Sequence, residues 1–159
     1  MMTLLAIIIL IAYLIYAYCK VGIPYCLSDT AYTVGKGIFA IAMISIAVCM
    51  WLPLMNVTPD EWRFLVFIAF VGISILAVSP YKDSELNYKM HYAGTCLAMA
   101  AVMSLWCVQR QFGVLIATLV IALELRAMTN KWLLCVELMM FLEIFIYATS
   151  PCIISLLLN

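Results

Sequence analysis

The chain has 159 residues, 69% of them apolar and 10% charged, with eight Lys+Arg balanced by eight Asp+Glu and a mean hydropathy of +1.19. Soluble domains carry about 45–50% apolar and about 25% charged residues, so this composition excludes a water-soluble fold and makes lipid the natural solvent. No basic run marks a nucleic-acid or polybasic surface, and the seven cysteines, none in CxxC spacing, give no disulfide framework or metal site.

A lipid-spanning helix needs about 20 mainly apolar residues, and six stretches are predicted. The opening MMTLLAIIIL lacks the positive region and small-residue cleavage site of a signal peptide. It is read as the retained start of a first span, 3–19, ended by Lys20 and the turn Gly22-Ile23-Pro24. A second span covers 37–55, with Asn56 and Pro59 beyond it, and a third covers 62–79, stopped by Pro80. The fourth, 89–107, is followed by the polar break Gln109-Arg110-Gln111. The fifth, 112–128, is short, and the sixth, 131–150, is expected to bend or end near Pro151. The fold class expected is an all-α, six-helix transmembrane bundle forming one domain.

Loops alternate sides, and basic residues concentrate on the cytoplasmic side. The loops after the first, third and fifth spans hold Lys20, Lys36, Lys82, Lys89, Arg126 and Lys131; the other side holds only Arg63 and Arg110. Six spans in a cell membrane therefore put both termini outside. Five spans would split the termini and break part of that pattern.

Ionisable side chains are costly at membrane depth, so their positions carry the most information about function. His91, the one histidine, lies on a stripe with Gly94, Ala98 and Ala101 at helical spacing. Small residues favour close helix approach in lipid, so His91 is expected to face the bundle. It serves either as a ligand contact, base or proton relay, or as an interhelical hydrogen bond to Asp29, Asp83 or Glu137. Ser28 and Asp29 lie in the first loop, and Asp83 follows Pro80; each fits a ligand or base, and each also fits a helix cap or turn. Glu137 and Glu143 interrupt an apolar helix. Six residues apart, they point about 120° apart around the axis. Glu143 is the deeper one and must find a partner, hold a proton or line a polar cavity. Arg126, with Lys131 and Lys89, is a candidate for lipid phosphate, or it snorkels to the interface. Trp51, Trp62, Trp106 and Trp132 fall near span ends, as an aromatic belt does.

No HExxH, GxSxG, Walker A or CxxCH motif is present, and no cofactor or metal is expected. Pro80, Asp83 and His91 in SPYKDSELNYKMHYAG, with Ser28 and Asp29 as a first-loop counterpart, resemble a pattern in uncharacterised small six-span bacterial membrane proteins of Frag1/DRAM-like outline. That resemblance implies a membrane protein without an established reaction. Three function classes follow. The first is a non-enzymatic lipid- or small-solute-binding or transport module with its polar cluster at the cytoplasmic end, where His91 or Glu143 carries a proton. The second is a structural or regulatory membrane subunit. The third is an intramembrane lipid hydrolase or transferase on which Asp29, Asp83, His91 and Glu137 converge. Membrane lipid is the expected partner, with a second copy of the chain or another membrane protein as a further one; nucleic acid is not expected.

Overall fold

A computed structural model gives the fold and describes residues 1–108 and 112–157. Among the described residues the protein is all α-helical, without a strand. The helices are α1 (Met2–Val21), the single turn α2 (Thr30–Thr33), α3 (Lys36–Val57), α4 (Arg63–Val78), α5 (Glu85–Val108), α6 (Phe112–Met128) and α7 (Trp132–Leu157). Short 3-10 turns at Leu27–Asp29 and Asp60–Trp62 lead into α2 and α4. The segments Met2–Val21, Lys36–Val57, Asp60–Val78, Glu85–Val108 and Trp132–Ser150 are long and apolar enough to cross a membrane. The Gln109-Arg110-Gln111 break, and with it Arg110, lies outside the described residues.

Local chemistry sets the ends. Gly22 takes φ +69° and its N–H closes the last turn of α1 on the Tyr18 carbonyl at 2.8 Å. That left-handed cap is open to glycine at little cost. α4 stops before Pro80, as the residue preceding a proline disfavours helix. α5 begins at Glu85, four residues ahead of the expected 89, because the Ser84 hydroxyl accepts the Asn87 N–H at 3.1 Å and caps the helix. α7 does not end at Pro151 but runs through it to Leu157. Proline withholds the N–H that would bond the carbonyl four residues back. Here that carbonyl belongs to Tyr147, and the Ser150 hydroxyl donates to it at 2.8 Å.

The helices pack along stripes of small residues. α1 buries Ala6, Leu10, Tyr13 and Ala17, one face at helical spacing, against α3. α4 and α5 make the closest pair in the bundle. A Cβ on Gly72 would lie 2.6 Å from the Ala98 nitrogen, and one on Gly94 would lie 2.7 Å from the Gly72 carbonyl. Gly94, Ala98 and Ala101 thus face α4 and the core, as the stripe predicts. Outward faces stay apolar, with Ile8, Ile11, Ile41, Leu52, Phe64 and Val71 exposed. In a bundle whose solvent is lipid such a surface is ordinary. α6 packs mainly on α7.

Candidate functional site

The first loop folds back under one end of the bundle. Leu27, Ser28, Thr30 and Ala31 are buried there, and Thr30 is fully so. The Tyr13 hydroxyl on α1 bonds the Thr30 hydroxyl, which also donates to the Leu27 carbonyl at 2.5 Å. The Lys131 ammonium, just before α7, donates to the Ile23 carbonyl at 3.0 Å. The loops after α1, α4 and α6 therefore meet at the same end.

Ser28 is the meeting point. Its Oγ lies 3.1 Å from His91 Nε2 on α5 and 3.4 Å from Glu137 Oε1 on α7. The other oxygen of Glu137 accepts the Leu27 N–H at 2.5 Å. His91 Nδ1 sits 2.9 Å from the Ser79 carbonyl and 3.1 Å from the Leu76 carbonyl, at the end of α4. Carbonyls only accept, so Nδ1 carries a proton. In the neutral ring Nε2 is then an acceptor, and Ser28 donates to it. Of the two roles the sequence left open for His91, the interhelical hydrogen bond was expected to go to Asp29, Asp83 or Glu137. Its partners are instead Ser28 and two backbone carbonyls left free where α4 ends before Pro80.

Asp29 forms a second, more exposed knot beside this one. Tyr81 and Lys82 both donate to its Oδ1 at 2.5 Å, and the Lys82 N–H donates to the Tyr32 hydroxyl. The Lys82 ammonium lies 5.2 Å from the ring centres of both Tyr32 and Tyr81. Burial works to raise the Asp29 pKa, but the hydrogen bonds from Lys82 and Tyr81 and the Lys82 charge outweigh it and hold the carboxyl below its ordinary value. Asp29 in turn holds the Lys82 ammonium above its ordinary range. The Tyr81 phenol is pushed up by burial and by its bond to Asp29. Its ring packs 5.4 Å from the His91 ring, which joins the two knots. The Cys26 thiol is pushed up to about 12 by burial and by the nearby Glu137 carboxyl.

The remaining candidates are dispersed. Asp83 stays out of the Ser28 cluster and pairs with Lys36 at 2.6 Å. Glu143 is buried on another face of α7 and accepts the Thr118 hydroxyl of α6. The two glutamates of α7 thus serve different neighbours, as their angular separation predicts. Lys89 pairs with Glu85 at 2.6 Å, and Arg126 lies 5.6 Å from the Trp132 ring centre. Among the described residues, no three His, Cys, Asp or Glu side chains come together as metal ligands.

Sequence reasoning missed Tyr81, Lys82, Cys26 and the Leu27 N–H. The signal for the first two lay in SPYKD itself, where a phenol and an ammonium sit beside a helix end that must find partners. Trp106 also departs from its expected place in an aromatic belt. It is 3% exposed and packs edge-on against Tyr147, with ring centres 5.4 Å apart. Compared with known proteins, the chain matches no family model, no curated protein and no solved structure.

Proposed function

We propose that the chain is a six-span membrane protein of the cell membrane, with both ends outside, acting as a non-enzymatic binding or transport module whose Ser28–His91–Glu137 cluster takes up a proton. The sixth crossing is α6, 17 residues long, or about 26 Å at 1.5 Å per residue. A hydrocarbon core is about 30 Å thick. The meeting of the loops after α1, α4 and α6 at one end supports that count, as does the excess of basic residues in those loops.

The observation that carries the reading is a shortage of hydrogens at Ser28. One hydroxyl proton faces two acceptors, His91 Nε2 and Glu137 Oε1. Adding one proton to Glu137 completes a chain in which Glu137 donates to Ser28 and Ser28 donates to His91. Three elements distant in sequence then share one proton, which is the geometry of a relay. Infrared spectra of the protein in lipid test it. A carboxylic C=O band should appear on acidification and vanish in Glu137→Gln. Vesicles loaded with a pH-sensitive dye and carrying the protein should acidify after an external acid pulse faster than vesicles carrying Glu137→Gln. Equal spectra and equal rates sink the reading.

A second reading rests on the anchoring of His91. With Nδ1 fixed on two carbonyls, Nε2 is set as a general base for the Ser28 hydroxyl, the pairing of a hydrolase or transferase. A fluorophosphonate that labels Ser28 in the native protein, but not in His91→Ala, would favour this reading over the first.

A further inference from the structure

Lys20, Lys36, Lys82, Lys89, Arg126 and Lys131 all lie at the Ser28 end of the bundle, and their partners divide them into two sets. Lys36, Lys82 and Lys89 are each matched by a carboxylate: Asp83 at 2.6 Å, Asp29 at 2.5 Å and Glu85 at 2.6 Å. Lys20, Arg126 and Lys131 form no ion pair among the described residues. Lys20 and Arg126 lie instead over aromatic rings, 5.8 Å from the centre of Tyr16 and 5.6 Å from that of Trp132. Lys131 directs one of the three N–H groups of its ammonium to the Ile23 carbonyl at 3.0 Å. Lys89, grouped with Arg126 and Lys131 on the sequence, thus has its charge matched by Glu85, whereas Lys20 does not.

The three unmatched cations share one corner. The carbonyl that Lys131 holds lies three residues past Lys20, and the ring under Arg126 belongs to the residue after Lys131. The ends of α1 and α6 are thereby tied to the start of α7, which packs against both helices. Glu124, the nearest carboxylate in sequence, is exposed. Two residues from Arg126 on a helix, it points to another face. Like charges gathered in this way repel one another, and an anion among them relieves the repulsion. The aromatic side chains set the level of the corner. Tyr16 and Tyr18 are exposed in the last turns of α1, and Trp132 opens α7, as in an interfacial belt. At that level a membrane presents the phosphates of its own lipids, and basic groups between helix ends recognise the anionic ones.

We propose that the corner formed by Lys20, Arg126 and Lys131 binds the phosphate of an anionic phospholipid, whose acyl chains lie along the exposed apolar surfaces of α1 and α6. Arg126 offers a planar fork of N–H donors, Lys131 its two remaining N–H groups and Lys20 a point charge. A choline headgroup brings a cation of its own into the corner, so the site discriminates against phosphatidylcholine. The proposal rests on the membrane placement of α1, α6 and α7 given above and not on the Ser28 cluster.

Native mass spectrometry of the full chain in micelles doped with lipid tests it. The native protein should retain a phosphatidylglycerol in preference to phosphatidylcholine. Lys20→Gln with Arg126→Gln should weaken that preference about 25-fold, at about fivefold for each basic residue beside an anionic headgroup. Lys36→Gln with Lys89→Gln removes the same two charges from the same end and should leave the preference nearly unchanged. All four side chains are exposed, so neither double variant disturbs the core. Lys131→Gln should cost about fivefold, and Lys131→Arg should restore the native value. Equal losses in the two double variants overturn the proposal, because net charge alone then accounts for the retention. Equal retention of the two lipids by the native protein overturns it as well. Inorganic phosphate should fail to displace the bound phosphatidylglycerol; displacement overturns a lipid as the source of the phosphate. Alkaline extraction reads the membrane placement separately. A chain released from membranes sinks that placement, whereas a chain that stays but shows no lipid preference sinks only the site.

Discussion

Gly72 and Gly94 bring α4 and α5 into backbone contact, with a Cβ on either glycine falling 2.6–2.8 Å from the backbone of the other helix. Gly94 lies one turn beyond His91, so this contact also sets the distance from His91 to the Ser79 and Leu76 carbonyls. Gly72→Ala and Gly94→Ala should each destabilise the protein, by about 1–3 kcal/mol for an overpacked contact. Unfolding midpoints in mixed micelles measure the loss. Nitrogen-15 spectra of His91 should show Nδ1 losing its hydrogen bond in both variants.

The two sides of the His91 ring do different work, and two substitutions separate them. Asn keeps a donor near the position of Nδ1, whereas Gln keeps an acceptor near the position of Nε2. His91→Ala should cost about 1–2 kcal/mol, since interhelical hydrogen bonds in lipid average about 0.6 and reach about 1.7 kcal/mol. His91→Asn should recover most of that stability, because two carbonyls depend on Nδ1. His91→Gln should recover little stability but retain the contact to Ser28.

The clamp of Asp29 on Tyr81 and Lys82 has a pH window. The folded protein holds the Asp29 carboxyl below its ordinary value. Its contribution is therefore complete above about pH 3.9, the unfolded value, and fades as pH falls through the lower folded value. Lys82 is held above its ordinary range, so its share is complete below about pH 10.4 and is lost as pH rises through the folded value. Hydrogen-exchange protection across 27–33, taken relative to the intrinsic rate at each pH, should be greatest between these limits and fall outside them. Asp29→Asn should abolish the acid limb and leave protection of that segment low throughout.

Cys26 should be inert. With its thiol pushed up to about 12, the reactive thiolate makes up only about 1 part in 10⁴ at pH 8. Mass spectrometry after iodoacetamide treatment should find Cys26 unmodified in the folded protein and modified once it is unfolded. Cys19, exposed near the end of α1, should label under both conditions.

The helices were legible because long apolar runs are hard to place otherwise: five of the six expected stretches fall, within a few residues at most ends, on helical segments long and apolar enough to cross a membrane, and the stretch 112–128 falls on the shorter helix α6. The exceptions have local causes. Ser84 starts α5 early through its hydroxyl, and Ser150 carries α7 past Pro151 by replacing a lost donor. The stripe through Gly94 and Ala101 correctly turned His91 inward. The partners of His91 were not legible, because two of them are main-chain carbonyls and every residue type carries one. Ser28 and Glu137 were singled out separately. Their convergence depends on how far the first loop folds under the bundle, and no periodicity encodes that.

The bond from the Leu27 N–H to Glu137 joins positions 110 residues apart. A ribosome making this chain delivers the donor long before the acceptor. Until α7 emerges, the folded-back loop has nothing to receive the Leu27 N–H, and Lys131 is not yet there to hold Ile23. Tyr13, Tyr81, Lys82 and His91 are all in place earlier to hold the loop, so a chain truncated before Lys131 should keep the fold-back but lack the last ties, those to the Leu27 N–H and the Ile23 carbonyl.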